Sequence, residues 1–301
     1  MRILVSGSSG LIGSAISEAL VRDRNTVNRL LRPTSSAHAQ PGDVHWDPVA
    51  GKFDAATAEG ADAVVHLAGA SIAEGRWTAA RKRLLRTSRV DATHHLVESL
   101  GSLAHPPRIF LCASAVGYFG NRGDESLDEW SAAGTDFLAT LTQDWEKEQT
   151  AATHFGARVV SMRFGIVLSG KGGALPRMAM PFKFGAGGRL ASGRQWMSWI
   201  DLRDVVGLAK FALGNATLSG PVNAVAPEPA RNSEFTLALA EVLHRPAVFP
   251  APAFALRLAL GEMADALLLS SQRVFPRRLD EAGYAFEQPD LRAALNAALA
   301  T

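Results

Sequence analysis

Three glycines, Gly7, Gly10 and Gly13, stand at three-residue spacing between an apolar run, Ile3-Leu4-Val5, and a helical pattern from Leu11 to Arg22. A glycine at the first position permits a tight turn. The second lets backbone approach a phosphate, and the third lets helix and strand pack closely. The N–H groups of the first helical turn then face outward, with the positive end of the helix dipole behind them. Gly7, Ser9, Gly10, Leu11, Ile12 and Gly13 are therefore expected to cradle the pyrophosphate of a nicotinamide dinucleotide. The plainer reading, a glycine-rich turn without a ligand, leaves the agreement of the whole βαβ unit with the motif unexplained.

The next strand bears on which dinucleotide. An NAD site places an acid at its end for the ribose hydroxyls, whereas an NADP site uses a nearby arginine. Here the chain reads Asn28-Arg29-Leu30-Leu31-Arg32, with no acid before Asp43. Arg32, with Arg29 as a second candidate, is expected to hold a 2′-phosphate, which favours NADP(H) over NAD(H). A solvated surface arginine is the bland alternative for either.

The elements that must position this loop alternate. Strand-like runs at 3–5, 26–31, 44–46, 63–67, 108–113 and 158–163 are separated by helical patterns at 11–22, 78–100 and 136–154. Such βα alternation implies a parallel sheet covered on both faces. With right-handed crossovers it becomes a doubly wound α/β arrangement, the Rossmann fold. From Gly165 to Gly193 there are eight glycines and few strand signals. A tryptophan-bearing strand (195–200), a helix (201–213) and a strand (221–225) follow. Pro227 and Pro229 mark a boundary. It divides a dinucleotide-binding domain (1–226) from a small, mainly helical C-terminal domain (227–301), whose first helix is capped by Asn232 or Ser233.

Composition excludes several classes. The chain has 301 residues and a formal net charge of +2, so no strong overall field draws it to nucleic acid or anionic lipid. Its one cysteine, Cys112, lies in an apolar run and suits a reducing compartment. The greasiest stretch, 251–269, is broken by Pro252, Arg257, Glu262 and Asp265, whereas a span needs about 20 predominantly apolar residues. A cytoplasmic protein is expected, monomeric or homodimeric, with a small-molecule substrate and no metal.

Longer motifs carry a resemblance. They are Asp62-x-Val64-x-His66-x-Ala68-Gly69, Ser114-Ala115-Val116-Gly117-Tyr118-Phe119-Gly120, Asp144-Trp145-Glu146, Arg163-Phe164-Gly165-Ile166-Val167-Leu168, Gln195-Trp196-Met197-Ser198-Trp199-Ile200 and Pro221-Val222-Asn223-Ala224-Val225-Ala226-Pro227. Together with the glycine loop, they resemble the extended short-chain dehydrogenase/reductase superfamily. Within it they resemble the atypical, epimerase-like branch described as nucleoside-diphosphate-sugar epimerases. Members carry a C-terminal domain of unknown function, which 246–299 resembles. The resemblance implies that Leu67, Ala68 and Gly69 also face the cofactor. It also implies that Ser114 hydrogen-bonds the substrate oxygen.

The superfamily's usual acid/base is a tyrosine with a lysine four residues on, where i and i+4 share a helix face and the lysine lowers the phenol's pKa. The matching positions here are Trp145 and Gln149. The only tyrosines are Tyr118 and Tyr284, and neither has a lysine at i+4. Tyr118, four residues after Ser114, is a candidate proton donor or an aromatic wall of the pocket. Glu146 and Lys147 read as solvated helix residues and Trp145 as core. Ala115 and Val116 replace the acidic pair of the sugar-nucleotide dehydratases, which argues against elimination by that route. Asp201 stands where the family usually has histidine.

Gln149 to Ile200 contains no acid but holds Arg158, Arg163, Lys171, Arg177, Lys183, Arg189 and Arg194. By the resemblance this stretch covers the substrate cleft. Arg177, Arg189 and Arg194 are expected to bind an anionic substrate or cofactor phosphate, the alternative being a solvated loop. Trp196 or Trp199 is expected to line the pocket, with Trp196 the candidate. The reading is an NAD(P)-dependent oxidoreductase or epimerase-like enzyme for a small, anionic carbonyl or nucleotide-sugar substrate. The alternative is a non-catalytic NADP(H)-binding sensor or interaction module.

Overall fold

A computed structural model of the chain describes residues 1–33 and 38–300. Eight strands form one sheet, in the order Gly220–Ala224, Arg158–Phe164, Ile109–Ala115, Ala63–His66, Arg2–Ser6, Thr26–Leu31, Val44–Asp47 and Lys52–Phe53. Neighbours run parallel except the last pair. This is the doubly wound parallel sheet expected from the alternating pattern.

The central strands are continuous apolar runs because both faces are covered. On one face the helices Leu11–Arg22 and Leu202–Gly214 lie over Ile3, Val5, Val65, Leu111, Val160 and Met162. On the other the helix Ala92–Gly101 packs Leu96 and Leu100 against Leu4, Val64 and Phe110. Successive connections go opposite ways from Arg2–Ser6, so a crevice opens between Ser6 and its register partner His66. Ligands of open α/β sheets bind at this switch point.

Most expected elements are present with shifts of one or two residues at their ends. The expected helix over 78–100 has an interruption: Ala79–Arg86 passes into a π-helical turn, Thr87–Asp91, before Ala92–Gly101. The glycine-rich stretch also holds unanticipated structure. Ile166–Leu168 pairs with Trp199–Asp201, and Ala174–Lys183 is helical despite Pro181. Flanking glycines and the proline hid that helix from a propensity reading. Asp201 caps the helix Leu202–Gly214, and Asp204 accepts from the backbone N–H groups of Glu287 and Gln288.

A second core joins Leu168, Leu175, Phe182 and Trp199 to Phe235, Leu239, Leu295 and Ala298. The glycine-rich stretch therefore packs on the C-terminal helices, while Leu279 and Tyr284 pack back onto the sheet core. No helix among the described residues is long and apolar enough to cross a membrane.

His66 is fully buried at the end of its strand. Its Nδ1 lies 2.7 Å from Ser6 Oγ and its Nε2 lies 3.0 Å from Thr93 Oγ1. Burial pushes its pKa down to about 4, so the folded protein holds it neutral. The unfolded chain takes up that proton at higher pH, so stability is full above pH 6.5 and falls as pH drops toward 4. The loss is about 3 kcal/mol over that window. Urea-unfolding midpoints between pH 4 and 8 should show this slope. In His66→Asn the slope should be flatter, though the variant should be less stable throughout.

Candidate functional site

The glycine loop is shaped by close approach. Gly7 has φ +69°, a region open to glycine but strained for other residues. A Cβ there would lie 2.9 Å from the Leu67 carbonyl. A Cβ on Gly13 would lie 2.2 Å from the Gly7 oxygen, so strand and helix touch through glycine alone. Gly10 is different. It is exposed, and its only close neighbour is the Gly7 oxygen, so its face toward the crevice is free for a ligand. Gly10 also begins the helix without any side-chain cap, and the first turn holds no acid. The N–H groups of that turn are orphan donors, an anion site with its dipole intact.

The opposite wall is equally fixed. Ser6 Oγ accepts the N–H groups of Leu67 and Ala68, which aims Leu67, Ala68 and exposed Gly69 at the crevice. Gly173, just before the helix Ala174–Lys183, approaches Leu11 at the start of the first helix. The cradle and the uncapped helix fit a dinucleotide pyrophosphate.

At the end of the second strand the two arginines separate. Arg29 Nε donates to Asp43 at 3.1 Å, and those hydrogen bonds raise its pKa. It is committed to that acid. Arg32 is exposed and makes no ion pair among the described residues.

The strand Ile109–Ala115 delivers Ser114 to the carboxyl edge, where its register partner is Arg163. Ser114 Oγ donates to Glu146 Oε1 at 2.5 Å. Arg163 Nε and Nη2 each reach Glu146 at 2.8 Å, a bidentate pair in which Arg163 is 2% exposed. The same guanidinium lies 3.5 Å from the centre of the Tyr118 ring. Ser114 and Tyr118 are thus brought together through Glu146 and Arg163, with the Tyr118 hydroxyl making no hydrogen bond among the described residues. Glu146 is not the solvated residue expected. It turns inward because Arg163, in a buried strand, must be neutralised. Sequence reasoning missed this pair. The available signal was a charge inside an apolar strand.

Trp145 and Gln149 are both buried and serve as internal ties. The Trp145 indole donates to Thr93 at 2.9 Å. Gln149 donates to the Ala113 carbonyl and accepts from Ser161. Tyr284 is out of reach of this chemistry, since its hydroxyl donates to Asp204 and burial pushes its pKa well up.

The expected substrate residues lie in different places. Arg177 reaches the Ala73 carbonyl at 2.8 Å, beside the cofactor crevice. Arg189 lies against Gly193, and Arg194 is exposed with its carbonyl held by Arg231. Trp196 has two arginines on its ring, Arg231 and Arg273, whose guanidinium carbons lie 4.4 and 4.6 Å from its centre, and its indole donates to Asp124.

The profile of the NAD dependent epimerase/dehydratase family matches residues 3–224. The chain belongs to that family. A domain of unknown function, DUF1731, matches residues 251–298. The epimerase family protein Mb2239 of Mycobacterium bovis is 44% identical over 293 residues, 97% of this chain and 96% of that relative. A crystal structure of the human epimerase family protein SDR39U1, isoform 2, with NADPH is similar with a TM-score of 0.90 and 32% identity, over the whole of both chains. The nucleoside-diphosphate sugar epimerase structure from Corynebacterium glutamicum matches with a TM-score of 0.81 and 34% identity, over 99% of this chain and 58% of that one. Family and fold place the chain among nucleotide-cofactor oxidoreductases and epimerases.

Breaking the Glu146–Arg163 pair from one side strands a buried charge. Arg163→Met should cost about 3–5 kcal/mol in urea unfolding. Adding Glu146→Gln should recover a good part of that loss. Simple additivity of the two changes would show that the pair is not coupled.

Proposed function

We propose that the protein is an NADP(H)-dependent oxidoreductase or epimerase-like enzyme acting on a small anionic carbonyl compound or nucleotide sugar. The observation that carries this is the Ser114–Glu146–Arg163–Tyr118 group, built at the carboxyl edge beside a cradle suited to a dinucleotide. A bound nicotinamide supplies hydride transfer. The protein's own residues handle binding and protons. Ser114 donates a hydrogen bond to Glu146, which leaves its oxygen lone pairs able to accept from a substrate hydroxyl. A proton leaving that hydroxyl passes to Ser114 while the serine proton moves to Glu146. Bidentate pairing with Arg163 keeps Glu146 in place for this exchange. The free Tyr118 hydroxyl is the second group able to carry a proton.

NADP(H) is favoured because Asp43 occupies Arg29 and leaves Arg32 free at the strand end. The known NADPH complex of the human relative supports the same choice. The exposed cations Arg177, Arg189 and Arg194 support an anionic substrate. One observation favours a non-catalytic sensor: the positions of the usual tyrosine and lysine are spent on internal hydrogen bonds.

Two measurements separate these readings. Calorimetric titration of NADPH and NADH should show tighter NADPH binding, and Arg32→Ala should erase most of that preference, roughly tenfold or more. Equal affinities in the unaltered protein would exclude the NADP reading. In a turnover screen with UDP-glucuronate, UDP-glucose and small keto acids, Ser114→Ala should lower kcat roughly 10²-fold or more and leave NADPH affinity intact. A sensor would show no turnover to lose.

A further inference from the structure

Three arginines close on the loop that follows the Ala63–His66 strand. Arg89 donates to the Ala70 carbonyl at 3.0 Å, Arg81 to that of Ser71, and Arg177 to that of Ala73 at 2.8 Å. Arg81 also pairs with Glu74. Arg89 differs from a surface arginine in three respects. It projects from the π-helical turn Thr87–Asp91, which inserts extra backbone into an otherwise regular helix, a device that re-aims side chains and recurs at functional sites. Its guanidinium is packed under exposed Gly69, where a Cβ would lie 3.3 Å from its Cζ, and it stands 5.3 Å from the Trp145 ring. Among the described residues it has no carboxylate partner.

A guanidinium has five N–H donors. Arg89 uses one on Ala70 and one, at 3.4 Å, on the Leu85 carbonyl, so three are free. Burial, helped by the charge of Arg81, pushes its pKa down to about 10. It still carries a full charge at neutral pH, in a place where charge is costly. A half-buried cation with no carboxylate partner among the described residues keeps donors to offer an anionic ligand. The guanidinium lies against Gly69, in the crevice wall that also holds Leu67 and Ala68. That wall stands opposite the uncapped helix at Gly10.

We propose that Arg89 is a cofactor-binding residue that holds the dinucleotide pyrophosphate from the Gly69 side, opposite the glycine loop. It supplies the fixed positive charge that a lysine would bring to this crevice and that Gln149 does not. This rests on the reading of the crevice as a dinucleotide site, but not on the preference for NADP, because the pyrophosphate is common to both nucleotides.

The test is titration calorimetry of the full chain with NADPH and with NADH, for the unaltered protein, Arg89→Lys and Arg89→Gln. Glutamine can keep the hydrogen bond to Ala70 without the charge; lysine keeps the charge. Arg89→Gln should lose roughly tenfold or more in affinity for both nucleotides. Its binding should also depend less steeply on salt concentration. Arg89→Lys should stay within about threefold of the unaltered protein on the same scale. Thermal melting separates loss of binding from loss of fold. If the glutamine variant does not fold, the lysine variant still decides by its affinity and salt dependence. Affinities within twofold for folded Arg89→Gln, or equal losses in both variants, overturn the proposal. NADH binding tighter than NADPH in the unaltered protein, with the Arg89 pattern intact, overturns only the NADP reading. Binding of neither nucleotide overturns both.

Discussion

One buried chain of hydrogen bonds holds the crevice in register. Ser6, at the end of the first strand, fixes the Leu67 and Ala68 amides and meets His66. His66 meets Thr93 on the next helix, and Thr93 accepts the Trp145 indole from the helix that carries Glu146. Four elements that approach from different directions are thereby tied at the switch point of the sheet. The chain works only with a neutral histidine, because a buried imidazolium would have no carboxylate to face. It also explains why the Trp145 position can lose a catalytic tyrosine without loosening the site. The indole N–H has become part of the frame.

The glycine loop depends on that frame. Gly13 and Gly7 bring strand and helix into contact, but contact alone leaves the second wall free to move. Ser6 removes that freedom by using one hydroxyl to hold two backbone amides. The orphan N–H groups at Gly10 then face a wall whose position is set by the core and not by loop conformation. Preorganisation of this kind reduces the ordering cost of binding a flexible dinucleotide.

Much of the fold was legible because it rests on local signals. The helix Leu11–Arg22 and the strand Thr26–Leu31 follow from periodicity and punctuation, and the parallel sheet follows from their alternation. What escaped was set by distant partners. The π-helical turn at Thr87–Asp91 has no local mark, since its residues suit an ordinary helix; it answers to packing of Arg89 against Gly69 and Trp145. Glu146 looked solvated because a helical glutamate usually is. Its inward turn depends on Arg163, 17 positions away on a neighbouring strand. The helix Ala174–Lys183 was hidden by glycine and proline, and its apolar face is explained only by the C-terminal helices. The glycine loop, as a strand-to-helix turn of close backbone approach, was readable as contiguous sequence. The group around Ser114 was not, because strand order assembles it.

The loss of the tyrosine–lysine pair has a physical counterpart elsewhere in the site. A mobile phenol with a tuned pKa needs a cation close to it. This chain places cations differently. Arg163 is spent holding Glu146 and covering Tyr118, and Arg89 is packed, half-buried, against Gly69. Positive charge is thus kept at the same edge of the sheet but moved off the helix that normally carries it. The consequence is a division of labour. On the reading proposed above, electrostatic binding of the cofactor falls to residues on the Arg89 side, and proton handling falls to Ser114 with Glu146 behind it. Such a division separates affinity from turnover in a way that a shared lysine does not. A change at the serine can then silence chemistry while the dinucleotide still binds.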